Sequence, residues 1–167
     1  SKILKQENKI PYSFSSTEIS DGIKKHFSFC WYEFYKFIFS YFFRWRKETK
    51  DLETLSIGLL IMSNASSNKD LIIQDIDIKK WRNRISYADK IGLNSMSISE
   101  ITGIPRPTVV RKVNFLIKEG FAKMDQKKLI SLSIEKKVFS KTQKIQEKTI
   151  KEISELIYKI LNKTTIN

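Results

Sequence analysis

The chain has little of several residue types on which protein chemistry often depends. Its 167 residues include one cysteine, one histidine, three prolines and five glycines. A single cysteine excludes an internal disulfide framework and fits a reducing compartment. One cysteine and one histidine are too few for zinc, which takes three or four such ligands. Residues 1–14 lack the apolar core of a signal peptide, so we expect a cytoplasmic protein without a cofactor.

Motifs that carry chemistry are also missing. His26 and Cys30 lie four residues apart and would share a helix face, but a catalytic dyad needs an orienting third group in a pocket. We interpret both as packing residues. The sequence contains no recognisable carboxylate pair, catalytic triad, phosphate-binding loop or metal-ligand set. We therefore expect neither enzymatic activity nor a metal site.

Positive charge is what the sequence has in excess. Lysines and arginines total 31 against 18 acidic residues, a net charge of +13. Residues 75–137 carry 14 basic and 7 acidic side chains (+7), whereas residues 1–74 and 138–167 carry +3 each. Such a surplus favours nucleic acid or an anionic membrane surface as a partner. The more informative cations are the six arginines: Arg44, Arg46, Arg82, Arg84, Arg106 and Arg111.

The first third of the chain contains an aromatic segment. Residues 27–45 hold 12 of the 20 aromatic residues without any Gly, Pro or Asn, which favours one long helix over a strand. Glu33 and Lys36 lie near its middle, where charges in a bilayer cost about 2.5–3.5 kcal/mol each, so we expect a buried helix and no membrane span. A helix that is apolar on all sides indicates a subunit interface. Its predicted dimerisation residues are Trp31, Tyr35, Ile38 and Phe42.

The last part of the chain predicts a second interface helix. After Ser140 there is no Gly or Pro, and apolar residues recur at spacings of three and four. The aromatic helix is the obvious partner for this stripe. We predict a homodimer in which the C-terminal helix contributes Ile153, Ile157 and Ile160. Between the two ends, residues 50–63 and 79–91 predict helices, and residues 71–78 fit either a strand or a helix.

The prolines are concentrated in "IPRPTVVR", residues 104–111, where two of them bracket Arg106. Proline presets a helical φ and lacks the N–H that a first helical turn leaves unpaired. The pair therefore indicates a rigid entry into a helix, with Arg106 held at its N-terminus.

The surroundings of this stretch extend the pattern. A short helix over residues 97–102 precedes Gly103, which supplies the positive φ of a tight turn. A second helix over about residues 106–119 is ended by Gly120, and it turns Val109, Val113, Leu116 and Ile117 inward. Two alternating segments, 121–125 and 129–133, predict a hairpin with its turn at residues 126–128.

Residues 95–134 resemble the helix-turn-helix of winged helix-turn-helix regulators, in particular those of the MarR family and of cyclic-AMP-receptor-type regulators. Small Ser99, Gly103 four residues later, Ile104, and the "TVVRKV" that places Thr108 and Val109 carry the resemblance. Pro105 stands where the family usually has a serine cap, and Lys112 occupies a position that is often apolar. The resemblance implies a mainly α fold with a small β wing, in which long N- and C-terminal helices form the dimer.

The resemblance also implies a function, binding of double-stranded DNA by a homodimer that regulates transcription. The recognition helix would enter the major groove and the wing, residues 121–133, would meet the backbone or the minor groove. A small effector bound in an aromatic-rich pocket between the dimerisation and DNA-binding regions is a further expectation. The predicted DNA-binding residues are Ser97, Arg106, Pro107, Thr108, Val110, Arg111, Lys112, Asn114, Lys118, Lys127 and Lys128.

The predicted organisation is a dimerisation region at 1–48, a winged helix-turn-helix domain at 49–138 and a dimerisation helix at 139–167. Two alternatives stay open. A winged-helix scaffold with an acidic protein partner, or a non-specific nucleic-acid-binding protein, would show no base-pair preference. A membrane-associated protein using residues 27–45 would sediment with lipid.

Overall fold

A computed structural model describes residues 15–67, 76–85, 92–133 and 136–165. Over these residues the fold is mainly helical, with seven helices and one two-stranded antiparallel sheet, which confirms the predicted mainly α class with a small β element. None of the described helices is long and apolar enough to cross a membrane. In chain order the elements are α1 (Ser16–Lys25), α2 (Phe27–Thr49), α3 (Leu52–Ser66), α4 (Ile78–Ile85), α5 (Ser95–Thr102), α6 (Arg106–Lys118), β1 (Ala122–Met124), β2 (Ile130–Leu132) and α7 (Lys136–Thr165).

The chain divides into two compact units. The central unit is Phe42–Glu147, and the terminal unit combines Ser1–Tyr41 with Lys148–Asn167. Both boundaries between the units lie inside long helices, α2 and α7, whereas the sequence predicts boundaries at residues 48 and 138. The difference arises because an unbroken helix gives no Gly or Pro signal where its neighbours change.

In the terminal unit, α2 and α7 lie side by side. Lys159 Nζ donates to Glu33 Oε2 at 2.9 Å, and Ser40 Oγ donates to Glu152 Oε1 at 3.2 Å. The two contacts advance by seven residues along α2 and retreat by seven along α7, so the helices are antiparallel. This pairing confirms that the C-terminal helix packs against the aromatic helix.

Helix α1 belongs to the terminal unit and was not predicted from the sequence. Ser15 caps it, accepting from the Glu18 backbone N–H at 3.2 Å, while the Glu18 carboxylate accepts from the Ser15 N–H at 2.7 Å. This reciprocal capping box fixes the start of the helix. Its Gly22 lies so close to Thr164 that a Cβ there would come within 2.6 Å of the threonine Cβ.

The central unit is organised around one apolar core, to which α3, α5, α6 and the hairpin contribute. Ile57, Ile98, Val109 and Ile130 are each 0% exposed. In α6 the buried residues recur at the helical period, so one face of this helix is committed to the core. This leaves the opposite face of α6 toward solvent.

The hairpin follows α6 directly. β1 and β2 pair antiparallel with Lys123 opposite Ser131, and Leu93 adds an isolated bridge to Ile130. The Leu93 N–H donates to the Ile130 carbonyl at 2.9 Å, and the Ile130 N–H donates back at 2.8 Å. The predicted hairpin is confirmed, with strands somewhat shorter than the alternating segments.

Other predictions differ from the structure in extent. The predicted helix over 79–91 is observed as α4, ending at Ile85, and residues 86–91 lie outside the described residues. Of the segment 71–78, which fits either a strand or a helix, residues 71–75 also lie outside the described residues. Helix α2 is not covered on all sides within one chain: Tyr35 is 59% and Phe39 73% exposed. The sequence predicts its burial in a subunit interface, and that stays a prediction. Within the terminal unit α7 packs along only one side of α2, so the other aromatic rings remain open.

Candidate nucleic-acid interface

Helices α5 and α6 are joined by a tight turn that side chains hold in place. Asn94 caps α5 by accepting from the Ser97 N–H at 2.8 Å. The helix ends at Gly103, whose φ of +70° is readily reached only without a Cβ. Ser99 Oγ then donates to the Ile104 carbonyl at 2.6 Å, which ties α5 to the entry of α6.

The entry of α6 is set by its two prolines. Pro105 is the N-cap residue, and its carbonyl accepts from the Val109 N–H at 3.0 Å. No side chain caps this helix, unlike α1, α3 and α5. Pro107 in the first turn has no N–H to satisfy. The helix therefore begins rigidly, with its positive end near the exposed side chain of Arg106.

One face of α6 is open along its whole length. Pro107, Arg111, Asn114 and Lys118 are exposed and follow the i, i+4, i+7, i+11 spacing of a single helical stripe. Val110 beside it is 40% exposed. Thirteen residues give a stripe about 20 Å long at ~1.5 Å per residue. We call these five residues and Arg106 the open face of α6.

The cations of the open face are not neutralised by neighbouring carboxylates. Arg106, Arg111 and Lys118 make no ion pair within the part of the chain that the structure describes. Their charge is thus available to an anion approaching from solvent. Of the residues that the sequence places outward, Arg106, Val110, Arg111 and Asn114 are exposed, whereas Thr108 is half-buried.

The hairpin turn presents two further cations. Lys127 and Lys128 are exposed at the tip, and Lys128 has φ +61°, a left-handed conformation unusual for a residue with a Cβ. Asp125 stabilises the turn: its carbonyl accepts from the Lys128 N–H at 3.0 Å and its carboxylate from the Leu129 N–H at 2.8 Å. The tip therefore has a defined shape.

Lys112 is a correction to the predicted interface. Its side chain is only 13% exposed, and its ammonium donates to the Asp51 carboxylate and lies 3.7 Å from Glu53 Oε2. It therefore faces the start of α3, where two carboxylates neutralise its charge. Ser97 and Thr108 are half-buried, and Ser97 is engaged by the Asn94 cap. Of the predicted set, they and Lys112 are the least accessible.

The residues that hold this flank of α6 were not predicted from the sequence. Lys50, between α2 and α3, places its Nζ 4.5 Å from the centre of the Phe115 ring, and Asp51 and Glu53 face Lys112. Burial raises the pKa of Asp51, but hydrogen bonds from Lys112 and Thr54 outweigh that effect and hold its pKa below the usual value. One signal in the sequence points to these partners: Lys112 occupies a position that is often apolar in the regulators that the sequence resembles.

The predicted dimerisation residues are mostly open in the single chain. Trp31 is 38%, Tyr35 59% and Ile157 50% exposed, and Phe42 and Ile153 are also exposed. Ile38 and Ile160 are half-buried. Phe27, Trp31 and Phe34 form a chain of contacting rings, with centroids 4.9 and 5.3 Å apart. The predicted subunit interface is thus an aromatic and aliphatic surface available for contact.

Two sequence candidates remain, the His26–Cys30 pair and the predicted effector pocket. Cys30 is buried, which raises the pKa of its thiol, and within the described residues no three His, Cys, Asp or Glu side chains form a metal-binding group. A groove in the terminal unit, of about 160 Å³, is lined by Phe37, Leu156 and polar side chains including Glu33 and Lys159. One aromatic ring does not make the predicted aromatic-rich pocket, so the effector stays a prediction.

Comparison of the chain with protein-family models, with curated proteins and with solved structures finds no match.

Proposed function

We propose that this protein is a cytoplasmic, homodimeric winged helix-turn-helix regulator of transcription that binds double-stranded DNA sequence-specifically. In this proposal α5 and α6 are the helix-turn-helix, α6 is the recognition helix and the β1–β2 hairpin is the wing. The observation that carries it is the open face of α6, a helix with a rigid entry on which Arg106 and Arg111 are exposed and make no ion pair with any residue that the structure describes.

The dimensions and chemistry of that face suit the major groove. The groove of B-DNA is about 12 Å wide and admits one α-helix. Arg111 and Arg106 are forks that can bind the O6 and N7 of guanine bidentately, and Asn114 offers the amide geometry that reads adenine. Lys118 would meet a phosphate, which fixes register without reading sequence. We leave Lys112 out of the proposed interface.

The hairpin supplies a second contact. Lys127 and Lys128 at its tip carry the charge needed to approach the backbone or enter the minor groove. Together with Arg106, Arg111 and Lys118 of α6, they give the proposed interface five exposed cations. Neutralised phosphates release counterions, so binding should weaken steeply with salt.

The homodimer follows from the exposed aromatic surface and from the small footprint of one recognition helix. Apolar patches of this kind mark contact sites on soluble proteins. A two-fold dimer would place two recognition helices about 34–36 Å apart and would select a near-palindromic site.

Selection from a random duplex library tests the proposal, followed by salt titration of the selected duplex. For Arg111→Ala we expect a loss of about 1–3 kcal/mol in binding free energy and relaxed preference at one position. The matched control, Lys118→Ala, should weaken binding equally on all sequences and reduce the salt slope by about one.

Two results would overturn the proposal. Salt-sensitive binding without a consensus would mean that α6 meets only phosphates and that the protein binds nucleic acid non-specifically. No binding near physiological salt would favour the alternative of a scaffold with an acidic protein partner.

A further inference from the structure

The recognition helix of the proposed function is held from one flank by the junction between α2 and α3. Lys112 and Phe115, three residues apart on α6, both face this junction. Lys112 pairs with the Asp51 carboxylate and, at 3.7 Å, with that of Glu53. Lys50 places its ammonium 4.5 Å from the Phe115 ring centre. Lys50 and Asp51 of the junction, together with Glu53 in the first turn of α3, thus contact one side of α6.

The junction itself is fixed in shape. Lys50 has φ +70°, and its N–H donates to the Arg46 carbonyl at 2.8 Å, which ends α2. Asp51 caps α3: one carboxylate oxygen accepts from the Thr54 N–H at 2.8 Å and from Thr54 Oγ1 at 2.9 Å. Thr54 is 1% exposed. The carboxylate that Lys112 meets is therefore held by a buried residue of α3.

The apolar face of α6 does not by itself fix the rotation of this helix about its axis. Val109, Val113 and Leu116 bury that face, but apolar contact is non-directional and tolerates small rotations of a helix about its axis. A hydrogen-bonded ion pair is directional. At a side-chain radius of roughly 5–6 Å, a 30° rotation moves the end of a side chain by about 3 Å, which is the length of a hydrogen bond.

We infer that Lys50, Asp51 and Glu53 are positioning residues that fix the rotation of α6 about its axis and thereby decide which side chains of the open face meet base edges. The inference rests on the proposed function. Lys112 is their partner on α6, through its ion pairs with Asp51 and Glu53. Base contacts by Arg111 and Asn114 need this orientation, whereas phosphate contacts by Lys118 tolerate its loss.

Asp51→Ser separates positioning from capping. Serine is a good N-cap, so α3 keeps its start, but its hydroxyl ends one atom short of the carboxylate oxygens that face Lys112. Asp51→Asn is a second test, since asparagine caps equally well, but with its oxygen on the Thr54 N–H it turns its amide nitrogen, a donor, toward the Lys112 ammonium. Both are compared with wild type on the selected duplex and on a random duplex, at a temperature where circular dichroism shows all three folded.

The sign of the effect distinguishes positioning from simple charge. Asp51→Ser makes the protein more positive, so electrostatics alone predicts equal or tighter binding to both duplexes. Positioning predicts a loss of about tenfold on the selected duplex, less than about twofold on the random one, and a similar pattern in Asp51→Asn, which keeps the cap but removes the acceptor for Lys112. Equal changes on both duplexes, or none, would overturn the inference.

A measurement without DNA keeps the inference separate from the proposed function. Amide ¹H–¹⁵N spectra of wild type and Asp51→Ser should differ across α6, residues 106–118, more than across β1 and β2. If α6 resonances are unchanged, the junction does not position the helix. If they change but wild type binds no duplex, the junction positions α6 and the DNA-binding proposal is what fails.

Discussion

The central and terminal units use their apolar residues in opposite ways. Among the described residues, thirteen apolar side chains of the central unit are buried, whereas Cys30 is the one such side chain in the terminal unit. The terminal unit nevertheless carries many exposed aromatic rings, with Tyr35 59% and Phe39 73% exposed. The central unit has a core of its own, and the terminal unit has apolar surface that a single chain does not cover.

Under the proposed function, the two units would have different roles. A unit with a closed core can hold the open face of α6 rigidly, which base recognition requires. A unit with open aromatic surface gains stability when a second surface covers it. We therefore expect substitutions in the central unit to change folding and those on the terminal unit to change association.

The largest expected effect is on the core of the central unit. Ile98→Ala removes a fully buried side chain of α5 and should lower the free energy of unfolding by about 2–5 kcal/mol. Ile101→Ala on the same helix removes a side chain that is 62% exposed and should cost less than about 0.5 kcal/mol. Urea unfolding of both variants measures the difference. Similar losses would mean that α5 packs differently from the description here.

The next effect tests the terminal unit. Ile157→Asp places a charge on the exposed stripe of α7 and should raise the dissociation constant of the proposed homodimer by at least about tenfold, because the charge would lose its hydration in the interface. Sedimentation equilibrium measures it, and Lys148→Ser, an exposed change elsewhere on α7, is the control. A monomeric wild type, or equal association of both variants, would remove the assigned role of this surface.

A smaller effect is expected at the hairpin tip of the central unit. Lys128 has φ +61°, which costs a residue with a Cβ roughly 1–2 kcal/mol. Lys128→Gly relieves that cost but adds entropy to the unfolded chain, so we expect a net gain of roughly 0.5–1 kcal/mol in unfolding free energy. Lys127→Gly, with no positive φ to relieve, should be destabilising. A loss for Lys128→Gly would show that its left-handed conformation costs the fold little.

The local features of the fold could be predicted from the sequence because their causes are local. Pro105, Pro107 and the two flanking glycines mark where α6 begins and ends, and the period of Val109 and Val113 gives its inner face. The hairpin follows from two alternating segments around a polar turn. The open face of α6 was accordingly predicted nearly residue by residue.

The contacts that the sequence could not predict are distant along the chain. Asp51 precedes Lys112 by 61 residues, so no pattern near Lys112 reveals its partner. The side of α2 that one chain covers could not be predicted for a related reason: composition shows that a helix is apolar, but the number of its neighbours is a tertiary property. The capping box of Ser15 and Glu18 was local and readable, and it was overlooked.

The smallest expected effect is on the pH dependence of the unfolding free energy, to which each unit contributes one carboxylate. Hydrogen bonds hold the pKa of Glu18 below its usual value in the terminal unit, and the pKa of Asp51 is lowered against its burial in the central unit. A pKa that is depressed in the folded state contributes stability above the unfolded pKa, and this stability is lost as pH falls through the folded value. Unfolding free energy should therefore decline below about pH 4.

Asp51→Asn removes the titrating group but keeps the cap, so its unfolding free energy should fall less than that of wild type between about pH 5 and pH 3. Glu18→Gln should follow the wild-type profile closely, because Glu18 is fully exposed and water screens its contacts. Urea unfolding at the two pH values measures all three proteins. Parallel pH profiles for wild type and Asp51→Asn would mean that the ion pair between Asp51 and Lys112 contributes no stability to the central unit. If only Glu18→Gln shows a flatter profile, the contact that acid breaks lies in the terminal unit.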